Sequence, residues 1–191
     1  VYDHVIMDAP PTGRITRFLN VNDEVAGLAR FGPIHNQAQA VMKVLKSPET
    51  AVHLVTLLEE MPVQETADGI EELRAAGLPV GRVVVNMVRP HHLDEDTLRS
   101  AAEDHRAGVA RALSRAGLGG ARRGGLAERL VEPLLTQAAE HASRVELERE
   151  QRVVLGNLGM PTYELPLLGA GMDLAGLYEL AKELRKQSVD E

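Results

Sequence analysis

Val5-Ile6-Met7-Asp8-Ala9-Pro10-Pro11-Thr12-Gly13-Arg14 decides the fold. Three apolar residues end in a single carboxylate, a tight Pro/Gly turn comes next, and the residues after it return to a helical pattern. A buried parallel strand delivers an acid to the carboxyl edge of a sheet in this way, and α/β proteins bind their ligands at that edge. The spacing predicts a strand over Tyr2–Met7. The plain alternative for Asp8 is a helix cap, a common use of an Asp at a strand end.

Outward from that turn, Thr16–Leu28 is polar and mixed, and reads as a turn with a short helix. Phe31-Gly32-Pro33 is a break. Ile34, Ala38, Val41, Met42 and Leu45 then recur at helical spacing, and Ser47-Pro48 ends that helix. Ala51–Leu57 is short, apolar and β-branched, a second buried strand. Pro62 suits the first turn of the next helix, Glu65 complements its dipole, and Val63, Ala67, Ile70 and Leu73 form its apolar stripe. Gly77 and Pro79 stop it before a third strand, Val80–Val88. Strand, helix and strand in that order predict a right-handed parallel crossover.

Asp94 can cap a helix with Leu98, Ala102, His105, Val109, Ala112 and Ala116 on one face, ended by Gly117. Gly119–Gly125, with Arg122-Arg123, reads as a flexible basic loop. A long helix comes after it, striped by Val131, Leu134, Leu135, Ala138, Ala142 and Val145, and Pro133 predicts a kink or a restart in it. Thr162–Leu165 is a last short strand. Asp173 caps a final helix with Leu174, Leu177, Ala181 and Leu184 facing inward. The fold class is α/β, a parallel sheet with helices on both faces, in one domain over residues 1–191 with no internal repeat.

The 191 residues suffice for a sizeable core, and 44% hydrophobic with 26% charged residues is ordinary for a globular protein. A net charge of −7 argues against sequence-independent nucleic-acid binding, which wants a basic face. With no cysteine there is neither a disulfide nor a thiolate metal site, which is compatible with a cytoplasmic location. No apolar run approaches the roughly 20 residues that span a bilayer. His91-His92 beside Asp94 and Asp96 lacks the spacing that would put two imidazoles on one helix face, so it reads as a solvated loop. His53 alternates within a strand and reads as a satisfied core histidine. No Ser/His/Asp order points to a hydrolase triad.

Asp8–Leu19 (DAPPTGRITRFL) resembles the switch II segment of the arsenite-pump and tail-anchored-protein-targeting ATPases, D-T-A-P-T-G-H-T-L-R-x-L. Asp8, Pro11, Thr12, Gly13, Arg17 and Leu19 match it, whereas Ala9, Pro10, Arg14, Ile15 and Thr16 depart. The resemblance runs from Tyr2 to about Leu184, and is strongest to an actinobacterial branch known as anion-transporting ATPases. It implies a nucleotide-hydrolase fold of the phosphate-loop type and an ATPase with ATP and magnesium as cofactors. Asp8 is then the Walker B acid, holding magnesium through a water. Thr12 and Gly13 are then the catalytic switch, the Gly13 amide reaching the γ-phosphate and moving on hydrolysis.

Asn86 stands where the family reads the base, since a carboxamide sets a donor beside an acceptor and so matches the N6/N7 edge of adenine. The plain alternative is a strand-end Asn bonded to its own loop. Pro166 and Leu167, with Leu168, resemble the segment that closes over adenine. Arg14 replaces the usual His, and its roles as a partner of developing charge, a solvated side chain or an interface ion stay open. Met61–Thr66 resembles the family's L-S-L-Y-E-T near nucleotide and partner, with first-turn acids as the alternative.

The chain has no G-x-x-x-x-G-K-[ST] phosphate loop, and the Gly117–Gly125 tract neither succeeds a strand nor ends in Lys-[Ser/Thr]. The resemblance therefore implies the C-terminal part of a longer ATPase, whose front carries the phosphate loop. The fragment alone is expected to be inactive. Metalloid handling wants thiolates, which are absent. A short insert with one Met, Met42, gives no support for a membrane-protein client. The implied partner is a second subunit, as a homodimer or a heterodimer with a paralogous ATPase, and no nucleic acid. The alternative function is a non-catalytic interaction subunit of such a pair.

Overall fold

The computed structural model describes residues 2–10, 14–19, 32–90, 106–118, 125–169 and 171–189. In chain order the elements are a helical segment α1 (residues 14–19), α2 (Pro33–Leu45), β1 (Val52–Thr56), α3 (Glu60–Ala75), β2 (Val80–Val88), α4 (Arg106–Arg115), α5 (Leu126–Gly156), β3 (Thr162–Pro166) and α6 (Leu174–Val189). The chain divides into two compact units, one of residues 1–88 with 151–191 and one of residues 89–150.

The first unit is built on a three-stranded sheet in the order β1-β2-β3. Both pairings are parallel, with Leu54 opposite Val83, Thr56 opposite Val85, and Val83 opposite Thr162. This is the predicted α/β class. Alternation puts Leu54, Thr56, Val83 and Val85 on one face, and all four are buried. α3 covers that face with Val63, Ile70 and Leu73, which are 0–2% exposed. Each such burial contributes on the order of 1.5–3 kcal/mol. Leu58, Leu78 and Leu155 complete the core.

α3 has the predicted stripe, with Thr66 and Gly69 added to its buried face. It ends at Gly77, whose φ of 70° is one that glycine adopts without steric cost. α2 starts with Pro33 at its first position and buries Ala38 and Met42, but Ile34 (62% exposed) faces out. His53 is satisfied as expected, its Nδ1 accepting the Arg82 backbone N–H at 3.0 Å, but the ring is exposed rather than in the core.

Further expectations are corrected at the two ends of the chain. Tyr2–Met7 forms no strand: residues 2–10 lack regular structure, with Val5 82% and Ile6 96% exposed. An apolar run such as Val5–Met7 forms a buried strand only with neighbours on its edges and cover on its faces, and it pairs with no strand among the described residues. In α6, Leu174 (69%) and Leu177 (53%) point outward, and the inward face is Gly176, Leu180, Leu184 and Gln187. The predicted cap does form, Asp173 Oδ1 accepting the Gly176 N–H at 2.8 Å.

β3 is held on its outer side by α6. Gln187 Oε1 accepts the Glu164 N–H and Gln187 Nε2 donates to the Glu164 carbonyl, both at 2.8 Å, as a neighbouring strand would. The Glu164 carboxylate takes a two-point contact from Arg152, at 2.6 and 3.1 Å.

In the second unit, α5 continues through Pro133 as one helix, without a restart. In this part of α5 Ala127 and Val131 are buried, while Leu134 faces out. Glu148, 6% exposed, is paired with Arg89. The helix expected to start at Asp94 and the Gly119–Gly125 loop lie largely outside the described residues, although Gly117 ends α4 with φ 87° in its predicted place.

Candidate functional site

The carboxyl ends of β2 and β3 lie side by side. Val88 is opposite Pro166, and the Leu167 N–H donates to the Val88 carbonyl at 2.8 Å. Residues 80 apart in the chain, Asn86 and Pro166, are thereby brought to one rim together with Leu167. Their adjacency comes from two parallel crossovers that return each strand in the same direction. Asn86 and Pro166 are half-buried and Leu167 is 38% exposed, so the rim offers apolar surface beside a carboxamide.

Asn86 Oδ1 accepts the N–H of Met87 at 2.9 Å. This is the plain alternative for the residue, a strand-end Asn bonded to its own loop. It does not consume the side chain. A carbonyl oxygen has two lone pairs, so one acceptor position and the NH2 group remain for a ligand edge.

Met87 has φ 58°, the left-handed region, among the described residues the single non-glycine with positive φ. Pairing runs in register from Val83 to Val85, breaks, and resumes at Val88. Two β2 residues, Asn86 and Met87, therefore stand against one β3 residue, Leu165, which is the geometry of a β-bulge. Sequence reading missed Met87. Neither Gly nor Asn occupies its position, so no local signal announces the turn.

Asp8 lies in the irregular segment 2–10 and is exposed. Thr12 and Gly13 lie outside the described residues. Beyond them, α1 is anchored: Ile15 and Leu19 are 4% exposed in the core of the first unit, and Thr16 Oγ1 donates to Glu72 of α3 at 2.9 Å. Arg14 is exposed. In the Met61–Thr66 stretch the Thr66 hydroxyl is spent on the Pro62 carbonyl at 2.7 Å and the residue is 1% exposed, which makes it a packing residue. Glu65 remains exposed at the start of α3.

No group of three or more acids and imidazoles among the described residues is placed to hold a metal. A lone carboxylate such as Asp8 suits magnesium, a hard ion that keeps several waters and takes one or two carboxylates plus substrate phosphates.

Residues 27–110 match the family model described as anion-transporting ATPase. Over that segment the chain is similar to the anion-transporting ATPases. The relatives agree: ATPase BagA of Mycobacterium tuberculosis and the Mycobacterium bovis protein Mb3704, also given an ATPase name, are each 46% identical over 191 residues, 99% of this chain. The chain spans about half the length of these relatives, 54% in each case. No helix among the described residues is long and apolar enough to cross a membrane.

Proposed function

We infer that the chain is part of an ATP-hydrolysing protein and that the β2–β3 rim takes the adenine of ATP. The observation that carries this reading is that Asn86, Pro166 and Leu167 all stand at the carboxyl ends of two paired parallel strands. Asn86 reads the N6/N7 edge of the base, and Pro166 and Leu167 pack against its plane.

Asp8 holds magnesium through a bound water, and the ion supplies charge neutralisation on the phosphates. Thr12 and Gly13 form the switch, with the Gly13 amide donating to the terminal phosphate. The anchoring of α1 supports a relay role for this turn, because Thr16 and Glu72 tie α1 to α3 and a moved turn pulls on a packed helix. The phosphate-cradling loop belongs to the portion of the protein outside these residues. The active form is a dimer, of like or paralogous subunits, acting in the cytoplasm.

The test uses protein expressed from the whole reading frame. Asp8→Asn is expected to lower magnesium-dependent ATP turnover by about a hundredfold or more, on the scale of losing a group that acts on the transferring phosphoryl. Asn86→Ala is expected to weaken ATP binding by about tenfold or more while leaving the turnover of bound ATP within a few-fold. Unchanged turnover in the first variant sinks the Asp8 assignment. Magnesium-dependent ATP binding without turnover in the unmutated protein favours the non-catalytic subunit instead.

A further inference from the structure

Met87 is a residue with a long side chain in a conformation that favours glycine, and the backbone around it is tied down on both sides. Its own N–H is bound by Asn86 Oδ1 at 2.9 Å, and the next carbonyl, that of Val88, is bound by the Leu167 N–H at 2.8 Å. A strained backbone persists when its surroundings determine it, and bulges of this kind re-aim a side chain next to a site. The side chain re-aimed here is that of Asn86. Met87 itself is 49% exposed and makes no claim on the core.

We propose that Met87, through its left-handed backbone, is the positioning residue that fixes the sense of the Asn86 carboxamide and so sets the base preference of the rim. The proposal rests on the reading that the rim holds a nucleotide base. An N–H pointing at the side chain requires an oxygen in return, so Met87 fixes which end of the amide is Oδ1. The outward edge is then an NH2 donor beside one remaining acceptor lone pair. Adenine answers it with N7 as acceptor and N6 as donor. Guanine offers two acceptors, N7 and O6, and sets O6 against the Asn86 oxygen. A carboxamide free to turn could not discriminate in this way, because no fixed acceptor would oppose O6.

The experiment compares MgATP and MgGTP affinities by titration calorimetry for the whole-reading-frame protein, Met87→Gly and Met87→Val. The unmutated protein is expected to prefer ATP by at least tenfold. Gly adopts the left-handed conformation freely and keeps that ratio within about threefold, whereas β-branched Val abandons it and loses about tenfold in the ratio. A ratio preserved in the Val variant overturns the inference, as does an equal loss in both variants, which would assign the effect to the Met87 side chain. Equal affinity for ATP and GTP in the unmutated protein removes the adenine reading itself, a result distinguishable from either. Should the Val variant fail to fold, the Gly variant decides by its melting midpoint. A rise with the ratio kept supports the left-handed backbone, and a midpoint unchanged or lowered overturns it.

Discussion

At the scale of single residues, the strand ends carry the information. His53 sits at the register break of β1, and its imidazole takes the Arg82 N–H that a regular ladder would have used otherwise. That arrangement needs Gly81, since a Cβ there would lie 2.8 Å from His53 Cε1 and 2.9 Å from Nδ1. Gly81→Ala therefore pushes the ring away and breaks the hydrogen bond. The expected cost is about 1 kcal/mol, read as a lower urea midpoint with unchanged slope. Asn86 stands out in the sequence as a carboxamide in an apolar, β-branched run, at the place where the resembled family reads the base. Met87 does not, because its conformation arises from pairing with a strand almost eighty residues further on, and local propensity carries no trace of such a partner.

At the scale of elements, β1, α3, β2 and β3 form where periodicity placed them, within a residue or so at each end. Short β-branched runs and a stripe at 3.6-residue spacing are set locally and then confirmed by packing. α6 shows the opposite outcome. Its most hydrophobic stripe, Leu174 and Leu177, faces out, because two weaker-looking residues fix the rotation. Gly176 lets the helix close onto Leu168, with room for no Cβ (2.8 Å to Leu168 Cδ1), and Gln187 is committed to the Glu164 backbone. Hydropathy ranks neither as a core residue. Gln187→Ala leaves a part-buried N–H and C=O without that partner and is expected to cost about 1–3 kcal/mol by chemical denaturation. Gln187→Glu is expected to recover little, since a carboxylate accepts the N–H but has no hydrogen for the carbonyl.

At the scale of the whole molecule, the apolar run before Asp8 states a requirement that no strand among the described residues meets. Val5 and Ile6 read as a buried strand in the sequence and stand in solvent in the structure. Strand formation depends on neighbours, which lie beyond the reach of any local pattern. The 191 residues expressed alone are therefore expected to self-associate. Ile6→Asp is expected to shift them toward monomer in light scattering, by breaking the exposed apolar surface. An unchanged association state would place the sticky surface elsewhere. The candidate site divides in the same way: the β2–β3 rim assembles from within the chain, while on the Asp8 side the described contact is that of α1, tied to α3 through Thr16 and Glu72.

The amide of Gln187 also gives the sheet a polarity of growth. Along β3 the residues whose main-chain groups face away from β2 are Thr162, Glu164 and Pro166. Glu164 is already engaged, and a proline has no hydrogen to give. A newcomer strand, whether contributed in cis or in trans, meets an engaged Glu164 and a proline on that flank, whereas the other edge of the described sheet is Val52–Thr56. There it would lie over the flank of Val55, which is 63% exposed.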